Sequence, residues 1–176
     1  MSTSLDDLTP DTRAAVAKWL EGVKAIGYEV KILSTRRTCA EQNGLYAIGR
    51  GEGDDRAKVT YAKGCISWHV LGRAIDFLIQ SPSKTEADYR KLGELGKSMG
   101  FKWGGDFPGF PDLVHLEWHK GVAIEDVCTE PTQCDAAVQR SMALNIPVAG
   151  GGGGAGSLLA LTVGIVAGVY LADRYL

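Results

Sequence analysis

Ser67-Trp68-His69-Val70-Leu71-Gly72-Arg73-Ala74-Ile75-Asp76, followed downstream by Asp112-Leu113-Val114-His115, is the stretch whose reading decides the fold. Two imidazoles and one carboxylate, His69, His115 and Asp76, make up the ligand set of a zinc ion that leaves its fourth position open for water. Asp112 lies three residues before His115. A second carboxylate at that distance suits a general base beside the metal, so the pattern points to metal-assisted hydrolysis.

His69 and Asp76 are an odd number of residues apart and would face opposite sides of one continuous strand. Gly72 removes the conflict: a turn there leaves His69 before the bend and places Asp76 within the apolar run Ala74-Ile75-Asp76-Phe77-Leu78-Ile79, which reads as a buried strand. An aspartate in such a run is costly to bury unless a cation or a donor meets it. Taken singly, Asp76 reads equally well as a satisfied core carboxylate and His69 as an ordinary half-buried histidine.

Together these residues resemble the zinc D,D-carboxypeptidase and L-alanyl-D-glutamate peptidase family, which includes phage endolysins. The family frame Ser-x-His-x-x-Gly-x-Ala-x-Asp is met at Ser67, His69, Gly72, Ala74 and Asp76. A later frame, Trp-Gly-Gly before Asp-x-x-His-x-Glu, is met at Trp103, Gly104, Gly105, Asp112, His115 and Glu117. An upstream frame is met at Ser34, Arg37, Thr38, Gln42, Leu45 and Tyr46. The resemblance spans roughly residues 8 to 120. It implies one zinc ion on His69, Asp76 and His115, with Asp112 activating the water. It also implies that Arg37 stabilises an oxyanion or holds a substrate carboxylate, and that Ser67, Gln42 and Trp103 contact substrate. The implied substrate is bacterial peptidoglycan and the implied bond L-alanyl-D-glutamate, with a D-Ala-D-Ala carboxypeptidase and a non-catalytic wall-binding module as the alternatives.

Two departures from the family pattern bear on the site. Arg36 stands where the family has an aromatic residue, leaving open whether Arg36 or Arg37 faces inward, and Val70 and Leu71 replace a polar-aromatic pair. Trp68 reads as either cleft lining or core. Leu113, His115 and Glu117 alternate as on a strand, which puts Glu117 on the ligand side, either as a partner for a ligand imidazole or as a solvated charge. His119 reads as surface, since the order His-Glu-x-x-His is absent.

The rest of the chain predicts an α+β fold, a small antiparallel sheet with flanking helices. Thr9-Pro10 opens a helix carried by Val16, Leu20, Val23 and Ile26 to Gly27. Tyr28, Val30 and Ile32 alternate as a strand reaching Ser34, and Thr38 with Glu41 forms a capping box for a helix to about Ile48. Residues 49–63, rich in glycine and charge, read as a mobile loop beside the site. A further helix covers about Thr85 to Met99, with short strands near Phe101 and Leu113.

Length and composition, 176 residues with 45% hydrophobic content, suit one small core plus an appendage. A net charge of −2 gives no basic patch, so nucleic acid is not an expected partner. The start of the chain lacks the basic and apolar parts of a cleaved signal, so synthesis in the cytoplasm is expected. The four cysteines then read as free thiols, with a local Cys128–Cys134 bridge and a Cys39–Cys65 meeting as the alternatives. Residues 1–127 read as the catalytic domain and 128–156 as a tail with the glycine linker Gly150–Gly154. The run 157–172 carries no charge, and 157–173 reads as a transmembrane helix, which predicts an enzyme anchored by its C-terminus and acting on the wall. Oligomeric state is open.

Overall fold

The computed structural model describes residues 1–119 and 121–144. Four antiparallel strands, β1 (Glu29–Ser34), β2 (Ala74–Ser81), β3 (Lys102–Trp103) and β4 (His115–Glu117), form one sheet in the order β1-β2-β4-β3. This is the α+β architecture expected from the sequence. Helices α1 (Pro10–Ala25) and α3 (Glu86–Met99) cover one face of the sheet. Helices α2 (Cys39–Ala47), α4 (Ile124–Val127) and α5 (Cys134–Ala143) belong to the side that carries the site.

Strand periodicity separates core from cleft. Ile75, Phe77 and Ile79 of β2 point into the main core with Val16, Trp19, Val23, Leu92 and Leu116. The Trp19 and Phe77 rings meet edge-on at 4.8 Å, and the Trp19 indole N–H donates to Leu92 O at 3.2 Å. Asp76 takes the opposite face. Its register partner on β4 is His115 and on β1 is Ser34, so pairing alone delivers a carboxylate and an imidazole side by side.

The predicted capping box of Thr38 with Glu41 is formed on α2, and a second box, Thr85 with Asp88, opens α3. Gly72 has φ +70°, and its carbonyl accepts from Thr9 N at 3.0 Å. A left-handed residue there makes the turn that separates His69 from β2.

A second, smaller core gathers Val70, Leu71, Val122, Val127 and Ala137 around two disulfides, Cys39–Cys134 and Cys65–Cys128. The reading of four free thiols is corrected, as are both alternative pairings. Each bridge joins one arm of the site to the segment of α4 and α5, with sequence separations of 95 and 63.

The expectation of a membrane anchor is also corrected: among the described residues no helix is long and apolar enough to cross a membrane. The longest helix, α1, has 16 residues and carries Asp11, Arg13, Lys18, Glu21 and Lys24. The run 157–173 and the linker before it lie outside the described residues.

Candidate metal centre and cleft

The turn ending at Gly72 sets His69 beneath the end of β1. His69 Nδ1 donates to Thr35 O at 2.6 Å, which fixes its tautomer and leaves the Nε2 lone pair facing Asp76 Oδ1 at 3.1 Å and His115 Nδ1 at 3.2 Å. His115 Nδ1 lies 2.8 Å from the same Asp76 oxygen, while its Nε2 donates to Glu117 Oε1 at 3.0 Å. One ligand atom from each of His69, Asp76 and His115 thus falls within 4.8 Å of the others. All three residues are buried.

Burial pushes the His69 imidazole down, outweighing the attraction of Asp76. Burial opposes charge on His115 too, but hydrogen bonds to Asp76 and Glu117 carry it up to about 10. Asp76 is held well below the usual carboxylate range because the two imidazoles overcome its desolvation. Without a metal, Asp76 and Glu117 favour the protonated form of His115, beside the Arg37 guanidinium that also meets Asp76. That proton leaves the His69 lone pair with no donor of its own, and a single divalent cation would satisfy all three groups together. The donor set fits zinc.

Arg37, in the turn between β1 and α2, donates from Nη2 to Asp76 Oδ2 and from Nη1 to Gln42 Oε1 at 3.3 Å. Of the two arginines left open by the sequence, Arg37 is the one in the cleft. Gln42 is fully buried and does not line the cleft; its amide nitrogen donates to Thr60 Oγ1 at 3.3 Å and Ala62 O at 2.8 Å. It orients the arginine and ties down the cleft-side end of the 49–63 loop. That loop is further held by the Arg50 guanidinium, which lies 4.0 Å over the Tyr46 ring and donates to Thr60 O at 2.8 Å.

Asp112 lines the cleft close to His115. Burial, together with the charge of Asp76, raises its carboxyl above the usual range, against the pull of His115. Its close approach depends on Gly104, where a Cβ would stand 2.5 Å from Asp112 O. Ser67 is buried in the cleft wall.

Trp103, expected to contact substrate, is fully buried and absent from the cleft. Its indole lies against Gly93 and Gly105, where a Cβ would come within 2.3 and 2.2 Å of the ring, and its N–H donates to Leu113 O at 3.0 Å. The Trp-Gly-Gly triplet is therefore a packing device that holds the 112–114 turn. His119 is not a free surface residue either. Its ring stacks on Trp68, with centroids 4.1 Å apart and 12° between planes, and its Nε2 donates to Glu117 Oε2 at 2.7 Å.

The cleft holds about 510 Å³. Polar groups cluster at its floor, and its lip is apolar, with Val59, Tyr61, Phe107 and Phe110. Tyr61 and Phe110 meet edge-on at 5.3 Å, from two different loops. Val122, Ala123 and Ile124 add a wall from the disulfide-tied segment, a contribution that local sequence patterning does not signal.

Residues 60–118 match the family model described as D-alanyl-D-alanine carboxypeptidase. The chain is 36% identical over 104 residues to the peptidoglycan L-alanyl-D-glutamate endopeptidase CwlK of Bacillus subtilis, a match covering 52% of this chain and 61% of CwlK. It is 31% identical over 122 residues to an L-alanyl-D-glutamate peptidase of a Listeria phage, covering 66% of this chain and 40% of that protein. The chain thus spans less than two thirds of either curated relative. The vancomycin-resistance D,D-pentapeptidase VanY, solved in complex with Zn(II), shares the fold with a TM-score of 0.52 at 17% identity, over 74% of this chain and 83% of VanY. The segment that matches the family model contains His69, Asp76, Asp112 and His115, the polar floor of the cleft.

Proposed function

We propose that this protein is a zinc peptidase that hydrolyses peptidoglycan, with the L-alanyl-D-glutamate bond of the stem peptide as its substrate. The carrying observation is the convergence of His69 Nε2, Asp76 Oδ1 and His115 Nδ1 beside a half-buried Asp112 in an open cleft. The two L-alanyl-D-glutamate peptidases among the relatives support the choice of bond.

His69, Asp76 and His115 would hold the ion. Zinc, when bound, lowers the pKa of a water molecule and polarises the scissile carbonyl. Asp112 takes the proton from the attacking water, a task suited to a carboxyl raised above its usual range by burial. The Arg37 guanidinium, braced by Gln42 and Asp76, faces the oxygen on which charge develops. Asp112 then returns its proton to the leaving amine, so no proton is gained or lost over the cycle. Ser67, in the cleft wall, would meet the substrate backbone.

The test is mass spectrometry of purified peptidoglycan digested by the full chain, with and without a zinc chelator. Stem peptides beginning at D-glutamate, released only without chelator, are the expected product. Release of free D-alanine alone would transfer the activity to a D,D-carboxypeptidase. No metal-dependent product from folded, zinc-loaded protein would reduce the domain to a wall-binding module.

A further inference from the structure

We propose that His119 is a positioning residue for the metal centre, acting through Glu117 on His115 and through Trp68 on the His69 segment. The proposal rests on the zinc-peptidase reading of the site. Glu117 is buried and splits its two oxygens between two imidazoles, Oε1 accepting from His115 Nε2 at 3.0 Å and Oε2 from His119 Nε2 at 2.7 Å. A carboxylate held at both oxygens cannot rotate about its terminal torsion. Its bond to His115 Nε2 therefore keeps that ring's Nδ1 turned toward Asp76 and His69. Remove the His119 donor, and a buried carboxylate oxygen loses its hydrogen bond and the rotamer loses its second anchor.

The other side of His119 is fixed by Trp68, with the planes only 12° apart at 4.1 Å between centroids. Trp68 precedes His69 directly in the chain. The chain of contacts His69-Trp68-His119-Glu117-His115 therefore adds a side-chain link between two ligand-bearing segments, beside the backbone pairing of β2 with β4. The backbone holds the same residue in place, since His119 O accepts from Val122 N at 2.9 Å and Val122 belongs to the cleft wall. Nε2 of His119 is committed to Glu117, which sets this residue apart from the three that would bind the ion.

The experiment is zinc titration of metal-free full-length chain against a chromophoric chelator, on wild type, His119→Phe, His119→Gln and Trp68→Leu, with the double variant Trp68→Leu/His119→Phe. Phenylalanine keeps a ring for the stack and removes the donor; glutamine keeps an N–H donor and removes the ring. Zinc affinity is expected to fall about 10–100-fold in His119→Phe, the range for loss of a residue that orients a ligand. His119→Gln is expected to recover most of that loss. Trp68→Leu is expected to weaken binding on its own and to add less than its own effect in the double variant. Melting of the metal-free proteins reports the fold, and a positioning role leaves the His119→Phe and His119→Gln melts close together while their zinc affinities differ. Equal zinc affinity in wild type and His119→Phe overturns the proposal. A wild-type chain that takes up no zinc overturns the metal reading beneath it, so the two failures are distinct.

Discussion

Arg73 and Asp11 form an ion pair in which both side chains are wholly excluded from solvent, with Nη1 and Oδ2 2.8 Å apart. Three further N–H groups of Arg73 are used as well, on Ser141 Oγ at 2.9 Å, Ser141 O at 3.0 Å and Leu144 O at 2.8 Å. Trp118 Nε1 donates to the same Asp11 oxygen at 3.1 Å. One guanidinium lying between Gly72 and β2 thus joins α1 to the carbonyl end of α5, where a cation is favoured.

Removing one member of such a pair leaves the other charge buried and alone, which costs about 3–5 kcal/mol. Asp11→Ala is therefore expected to lose about that much stability in urea unfolding. A loss of about 1 kcal/mol or less would show that Arg73 is satisfied by the α5 carbonyls without Asp11.

For Asp112, general-base work predicts a loss of about 10²–10⁴-fold in wall hydrolysis on substitution by alanine. The zinc content should stay at the wild-type level, because Asp112 is not among the three grouped ligand atoms. Metal analysis alongside a turnover assay checks both halves. An Asp112→Ala protein that binds zinc and cleaves at the normal rate refutes the assignment.

The two disulfides close long stretches of chain, with separations of 95 and 63 residues. Loss of a bridge of this kind costs roughly 2–5 kcal/mol, mostly by freeing the unfolded chain. Denaturant unfolding with and without a dithiol reductant is expected to show a drop of that size, with the combined loss smaller than the sum since the two loops overlap. An unchanged midpoint under reductant would mean that the second core holds α4 and α5 unaided.

Much of the site was legible because its chemistry restricts residue types and spacing. His69, Gly72 and Asp76 could be placed by strand alternation and one glycine turn, and the capping box at Thr38 marked the start of α2. The cysteine partners were not legible, since Cys39 and Cys134 stand 95 residues apart in the chain and local spacing favours nearer pairs. Trp103 was misassigned for a related reason. An indole beside glycines fits a substrate platform and a packed core equally well in sequence, and only the neighbours Gly93 and Leu113 decide between them. His119 lacked a signal because its partners, Trp68 and Glu117, lie on different elements.

Asp88 connects helix capping to pH. Its carboxylate accepts from Ser83, Thr85 and Tyr28, and these hydrogen bonds hold it well below the usual carboxylate range. Its folded-state value lies under its unfolded one, so the stabilisation is complete above the ordinary carboxylate range and is lost as pH falls toward the native value. Asp88→Asn is expected to melt below wild type near neutral pH, with the gap narrowing as the solution is acidified. A gap that stays constant with pH would assign the effect to side-chain shape, not charge.

Gly93 sets helix propensity against packing. In α3, alanine should gain about 1 kcal/mol over glycine from backbone entropy. A Cβ at that position would, however, stand 2.3 Å from two atoms of the Trp103 indole, a rigid ring itself hydrogen-bonded to Leu113 O. Overpacking of this sort costs about 1–3 kcal/mol, and here the obstructing group is a rigid indole, unlike the flexible Met99 end facing Gly22. Packing is expected to win, so Gly93→Ala should unfold at lower denaturant than wild type. Because Trp103 also holds the turn carrying Asp112 and His115, the variant should lose zinc affinity along with stability. A stabilised Gly93→Ala protein with unchanged zinc binding would show that the indole can shift without disturbing that turn.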